Sequence, residues 1–329
     1  MQRIIGFLAV LATVLAAVSA ALPAQAQSGY PARPIRLVVP LAPGGPSDIL
    51  ARSMAQQLTD SMKQTVFVDN RTGAGGVIGT DNVAKSPADG YNMLLLAVAT
   101  YTINAGRYTR LPYDPVKDLK PVSILAGAPY ALVVHPALPV RNLKELIALD
   151  KKRPGQMNYS SGGAGTGPHL GTEILKAATG MTAVHIAYKG AAPAMVDLVA
   201  GQVQFQLANM IASVPLVKQG RLRVIAISGS KRSSVWPDVP TIAESGVSGL
   251  DEVGGHMIMV PGATPPAIVV RLYQELTKAL QQPDVKARLE GEGAEIFGSS
   301  PEQSAATVRS EIERMGKLIK QLGLQAEGA

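Results

Sequence analysis

The 329-residue chain is 47 % hydrophobic and 17 % charged, carries a formal net charge of +7 and has no cysteine. It is long and apolar enough for two lobes of ordinary size, and the lack of cysteine excludes disulfides, thiolate catalysis and Cys-ligated metal together. Aromatic residues make up only 4 %, which disfavours sugar stacking, and scattered Lys and Arg without an aromatic ladder speak against nucleic acid.

The chain opens on Arg3 and an apolar run over residues 4–18, then Pro23-Ala24-Gln25-Ala26. A basic start, a short apolar stretch and an A-x-A site form the pattern of a cleavable export signal, cut after Ala26. An uncleaved anchor is the alternative, since the run with its Ala-rich tail approaches a bilayer span. The polar, Pro-containing exit favours cleavage. No later segment is apolar enough to cross a membrane, and no cysteine is present for lipid attachment. The expected product is a freely soluble periplasmic monomer of residues 27–329. Lys151-Lys152-Arg153, the one basic run, reads as a solvated helix end, where cations suit the dipole. A modest positive excess suits steering of an anionic solute.

Strand and helix patterns then alternate. Ile35-Arg36-Leu37-Val38-Val39 predicts a strand, and Leu50, Met54 and Leu58 mark one face of a helix over 48–58. A strand at 66–68, a Gly-rich loop and a small-residue helix near 79–84 follow. The unbroken apolar run 93–98 predicts a strand buried on both faces. Residues 111–121 read as a Pro-rich connector. Beyond it, strands are expected near 131–134, 157–159, 184–187, 203–207 and 222–227, with helices at 143–149, 168–178, 193–200 and 212–219. Such alternation implies βαβ crossovers and parallel sheets covered on both faces. Two amphipathic helices close the chain, one striped by Ile268, Leu272, Leu276 and Leu280. The other opens on Ser300-Pro301-Glu302-Gln303, a capping box, and is striped by Val308, Ile312, Met315 and Ile319.

Two loops share one design. Pro40-Leu41-Ala42-Pro43-Gly44-Gly45-Pro46-Ser47-Asp48 joins a strand to a helix start, and Ser160-Ser161-Gly162-Gly163-Ala164-Gly165-Thr166-Gly167-Pro168-His169 does the same in the other half. Glycines admit a ligand close to the backbone, and the free N–H groups of the following helix point at it with the positive dipole end behind them. Each loop alone is better read as a plain connector. Two at matching positions suit one anion held between them.

Other chemistries fit less well. There is no G-x-x-x-x-G-K-[ST], and Gly73-Ala74-Gly75-Gly76-Val77-Ile78-Gly79 places its last glycine one residue late for a dinucleotide turn. The four histidines (His135, His169, His185 and His256) show no metal-ligand spacing beyond His169 and Glu173, two ligands without a third. Ser160-Ser161 lacks the G-x-S-x-G elbow, and Asp48 is read as orienting its helix rather than as a base. No metal, cofactor or catalytic residue is assigned.

Arg33-Pro34-Ile35-Arg36-Leu37-Val38-Val39-Pro40 running into Ala42-Pro43-Gly44-Gly45 and Asp48 resembles the opening of Bug-type receptors, the periplasmic substrate-binding subunits of tripartite tricarboxylate transporters. Asn70-Arg71, Asp89-Gly90-Tyr91, Leu111-Pro112-Tyr113-Asp114-Pro115, Gly165-Thr166 with His169-Leu170, Tyr188-Lys189-Gly190 and Asp238-Val239-Pro240-Thr241 extend the match. The resemblance implies an α/β, two-lobed type II periplasmic-binding-protein (Venus flytrap) fold, with lobe one at 27–127 plus 251–329 and lobe two at 128–250. It further implies a small organic carboxylate as ligand and integral-membrane transporter subunits as partners. A periplasmic sensor is the alternative, and a secreted serine hydrolase a lesser one. The candidate ligand-binding residues are Ala42, Gly44, Gly45, Ser47, Asp48 and Thr100 in the first half. Those in the second half are Ser160, Ser161, Gly165, Thr166, His169, Lys189 and Asn209. Two positions depart from the family pattern: Ala208 stands where an Asp is usual, and Gly255-His256-Met257 where a Trp is frequent. Loss of the acid disfavours an amino-acid ligand, whose ammonium would want one.

Overall fold

A computed structural model describes residues 29–250 and 253–328; the export signal and its cleavage site lie outside them. The chain divides into two units, Met1–Arg33 and Pro34–Ala329. In the first, residues 29–33 carry no helix or strand; all elements below belong to the second.

Strands β1 (Ile35–Val39), β2 (Val66–Asn70) and β3 (Asn92–Ala97) run parallel in the order β2-β1-β3. The helices α1 (Pro46–Met62) and α2 (Val77–Ala84) carry the chain back between them. Helix α1 begins before its apolar stripe because Pro46 takes the first helical position. Arg36 interrupts the apolar run of β1 without penalty, since its guanidinium reaches Asp69 and Asn82.

The run at 93–98 does not end as a strand. The chain turns at Ala97, and α3 (Val98–Arg107) begins at once; Val98, Ala99, Tyr101 and Ile103 are as buried as a strand's residues would be, so apolarity alone hid the change. The expected connector also contains structure. Strand β4 (Leu119–Val134) is 16 residues long and accommodates Pro121 through a register shift between Pro121 and Ser123.

Strand β4 links two sets of strands. Leu119–Pro129 pairs antiparallel with β9 (Val253–Pro261), which also pairs antiparallel with β3. Tyr130–Val134 pairs with β7 (Phe205–Asn209) and β8 (Arg223–Ile227). Outward from β7 lie β5 (Asn158–Ser161) and β6 (Val184–Ala187), both parallel to their neighbours. The helices α4 (Leu143–Lys152), α5 (Gly167–Thr179), α6 (Ala191–Val199) and α7 (Met210–Lys218) alternate with these strands. Both wings are thus parallel, but the centre is antiparallel, which corrects the all-parallel expectation. The reason is that no helix separates β8 from β9 among the described residues, so β9 returns without a crossover.

Helices α8 (Pro266–Leu280), α9 (Pro283–Gly291) and α10 (Pro301–Gln321) complete the chain, with a short β10 (Glu295–Ile296) against β4. The Ser300–Gln303 capping box is present. Separate apolar cores flank the pairing switch in β4, one around Leu132, Tyr159 and Phe205, the other around Val38, Leu94 and Met257. No helix among the described residues is long and apolar enough to cross a membrane.

Candidate functional site

Strands β1, β3, β5 and β7 end around one cleft, and α1, α3, α5, α6 and α7 begin there. Ala42, Gly45, Ser47 and Asp48 line it from the β1–α1 junction, and Ala97 and Thr100 from the start of α3. Gly162 and Thr166 come from the β5–α5 junction, Ala191 and Met195 from α6, Gln206, Ala208 and Asn209 from β7, Tyr130 from β4 and His256 from β9. The cleft leaves about 40 Å³ to the centre of a water molecule, room for a few small groups rather than a large ring system.

The first-turn amides of a helix have no preceding carbonyl to donate to. At α1, α3, α5 and α6 no side chain caps them; only α7 is capped, by Asn209 Oδ1 accepting from the Ile211 amide at 3.0 Å. Four open N-termini around one space make an electropositive cup with no cationic side chain in it. Among the described residues, the only charged one on the lining is Asp48, and it is neutralised locally. Its carboxylate accepts from the Gly44 amide at 2.9 Å and pairs with Arg52 at 2.9 and 3.1 Å. Burial pushes the Asp48 carboxyl up, but the bonds from Arg52, Gly44 and Asn70 outweigh it and hold the group below the usual carboxylate range. Asp48 therefore shapes the loop and leaves the cup's field positive.

The second junction is braced differently. Ser160 Oγ donates to Gln206 Oε1 at 3.1 Å, and Ser161 Oγ lies 2.7 Å from His185 Nε2 and 3.2 Å from the Gly163 carbonyl. Thr166 Oγ1 donates to the Gly163 carbonyl at 2.7 Å. Behind them His185 stacks on Tyr159 and faces His169, and Tyr159 donates to Glu173, which pairs with Lys176. Burial, reinforced by His169, pushes His185 down to about 4. Ser161 and His185 are spaced like a nucleophile and base, but Ser161 is fully buried outside the cleft lining and a base so weakened gains few protons at neutral pH. The pair holds the loop.

Of the sequence-derived candidates, Ala42, Gly45, Ser47, Asp48, Thr100, Thr166 and Asn209 come together on the cleft. Gly44 stands behind them, donating to Asp48. Ser160, Ser161 and His169 are buried in the second half's interior, and Gly165 packs against Asn104. Lys189 has an exposed side chain; its carbonyl accepts from the Ala42 amide at 3.0 Å. Sequence reasoning missed Tyr130, Met195 and Gln206 as lining residues, whereas Ala208 and His256 belong to the two departures from the family pattern. Gln206 carried a signal: a polar residue in an apolar strand, two places from Ala208 and so on the same face. Among the described residues, no group of three or more His, Cys, Asp or Glu is placed to hold a metal.

The two halves touch at the mouth of the cleft. Gly75 has φ +60, and a Cβ there would lie 2.1 Å from the Ala164 carbonyl oxygen. Gly190, at φ +151, would place a Cβ 2.7 Å from the Ala42 nitrogen. With the bond from Ala42 to Lys189, these contacts describe a closed cleft.

Residues 50–324 match the sequence model of the family described as "Tripartite tricarboxylate transporter family receptor". Protein BugT of Bordetella pertussis (strain Tohama I) is 39 % identical over 317 residues, covering 96 % of this chain and 97 % of BugT. Among solved structures, periplasmic binding protein BugD superposes with a TM-score of 0.87 at 33 % identity, covering 90 % of this chain and 99 % of BugD. R. palustris Rpa4515, solved with adipate, superposes with a TM-score of 0.85 at 36 % identity, covering 89 % of this chain and 98 % of that one. The fold is therefore the two-lobed α/β fold of the type II periplasmic binding proteins.

Proposed function

The chain belongs to the tripartite tricarboxylate transporter receptor family, and from that premise we propose that it is a periplasmic receptor that captures a small organic carboxylate and presents it to integral-membrane transporter subunits. The observation that carries the reading is the convergence of four uncapped helix N-termini on a cleft whose one charged side chain, Asp48, is already paired. Fixed N–H dipoles hold an anion without a counter-charge and without rearranging as it arrives. They grip any carboxylate alike, so the rest of the lining sets selectivity.

The pairing switch in β4 between Pro129 and Tyr130 supports lobes at 27–127 plus 251–329 and 128–250, with a hinge in the strands that join them. In this reading the open form exposes the amides of one lobe, the acid binds, and the other lobe's amides complete the cup on closure. The ligand need only favour the closed state over the open one. Cleavage after Ala26 would release the mature receptor into the periplasm. A thermal-shift screen of the mature protein against mono-, di- and tricarboxylates tests the proposal. At least one acid is expected to raise the melting temperature in a concentration-dependent way; no response to any acid, with a response to sugars or cations instead, contradicts it.

A further inference from the structure

Two buried polar atoms on the cleft lack a protein partner. Among the described residues, neither Nε2 of Gln206 nor Nδ1 of His256 finds a hydrogen bond, although Gln206 is 0 % and His256 1 % exposed and both line the cleft. Orphaned buried polar atoms are rare, and each destabilises the protein that keeps it. The orientation of Gln206 is set from behind: the Ser160 hydroxyl donates to its Oε1, which turns the amide nitrogen away from Ser160. His256 sits on β9 between its neighbours Ala97 of β3 and Ala126 of β4, two small residues, and lines the cleft.

We propose that His256 and Gln206 form a second recognition point, on the strand floor of the cleft, that reads an oxygen acceptor at the far end of the bound acid from its carboxylate. The inference rests on the carboxylate-receptor reading above and adds the selectivity that the helix N-termini cannot provide. An amide and an imidazole offer N–H donors without a formal charge; burial pushes the His256 imidazole down to about 4, so it is neutral at neutral pH. A hydroxyl, carbonyl or second carboxylate oxygen satisfies such donors. A methyl end leaves them orphaned, and an ammonium end meets donors with only the engaged Asp48 as an acid on the lining. A site built to hydrogen-bond one group discriminates strongly against the analogue that lacks it.

The test is calorimetric titration of the purified protein with straight-chain acids of four, six and eight carbons, each ending in methyl, hydroxyl, carboxylate or ammonium. At the chain length that fits, oxygen-ended acids are expected to bind about thirtyfold tighter than the methyl-ended acid, and the ammonium-ended acid no better than methyl. His256→Phe and Gln206→Met should each reduce that preference about fivefold to tenfold. Both should weaken oxygen-ended binding far more than methyl-ended binding, and His256→Phe should raise the ligand-free melting temperature because its orphaned polar atom is gone, whereas a merely structural role would lower it. Should His256→Phe fail to fold, His256→Leu and Gln206→Met carry the comparison. Equal binding of methyl- and oxygen-ended acids, or a preference untouched in both variants, overturns the floor assignment and leaves the receptor standing. Failure of every acid at every length overturns the receptor reading itself, and this proposal with it.

Discussion

The β1–α1 and β5–α5 junctions use the same backbone and opposite side-chain chemistry. Each ends a buried strand, passes through glycine and enters a helix with proline in the first turn and no side-chain cap. The first is braced by a charged pair, Asp48 with Arg52. The second is braced by neutral groups, the Ser160, Ser161 and Thr166 hydroxyls on Gln206, His185 and the Gly163 carbonyl. What they share, open amides, is what an anion needs; what differs is how each loop is held still. Asp48→Ala should therefore have the largest effect. It leaves the Gly44 amide and Arg52 without their buried acceptor, costing about 2 kcal/mol of stability and, if the open amides bind the acid, about a hundredfold in affinity by calorimetry. Retention of full affinity would mean that the first junction does not hold the ligand.

Gly75→Ala comes next. Its Cβ meets the Ala164 carbonyl, so the variant should fold normally yet close incompletely, losing about thirtyfold in affinity. Solution scattering should show a smaller contraction on adding ligand than in the unsubstituted protein. Ser161→Ala removes one neutral brace and should cost only about fivefold. An effect equal to that of Asp48→Ala would erase the contrast between the loops.

Acid separates the braces with the smallest effect. His185 is held near 4 in the fold against an ordinary 6.5, so the unfolded chain binds the extra proton between those values. Its contribution is complete above about 6.5 and is lost as pH falls toward 4. Asp48 lies below its ordinary 3.8, so its contribution is present above that value and lost only as pH falls through the lower folded value. Hydrogen exchange on acidification should therefore open residues 160–169 before 42–48; the reverse order would contradict the assignment of the braces. The buried His256, held near 4 against 6.5, loses stability over the same window, and His256→Phe should reduce that dependence of the melting temperature.

Much of this was legible in the sequence, for physical reasons. The two junctions, the helix start at Ser300 and the strand at 184–187 depend on local signals: proline, glycine, caps and short apolar runs. Helix α3 was hidden because a helix buried all round reads like a buried strand, and its N-terminus, which brings Thr100 to the cleft, was hidden with it. Strand β4 was obscured by Pro121 and Pro129, residues that argue against a central strand; a register shift accommodates Pro121, and Pro129 stands where the pairing switches. Ser160 and Ser161 read as ligand donors because hydroxyls beside glycine suit that role. Which way they turn depends on Gln206 and His185, which lie 46 and 24 residues away in the chain and become neighbours only in the folded sheet.

The claim on which the account depends is that backbone amides of both junctions bind the acid. It is tested most directly by following the amide proton shifts of Ser47, Asp48, Gly167 and His169 as an acid that raises the melting temperature is added. The account predicts that these four shift downfield together and furthest, saturating with the same dissociation constant. Unmoved signals from both junctions, with the largest shifts elsewhere, would contradict it.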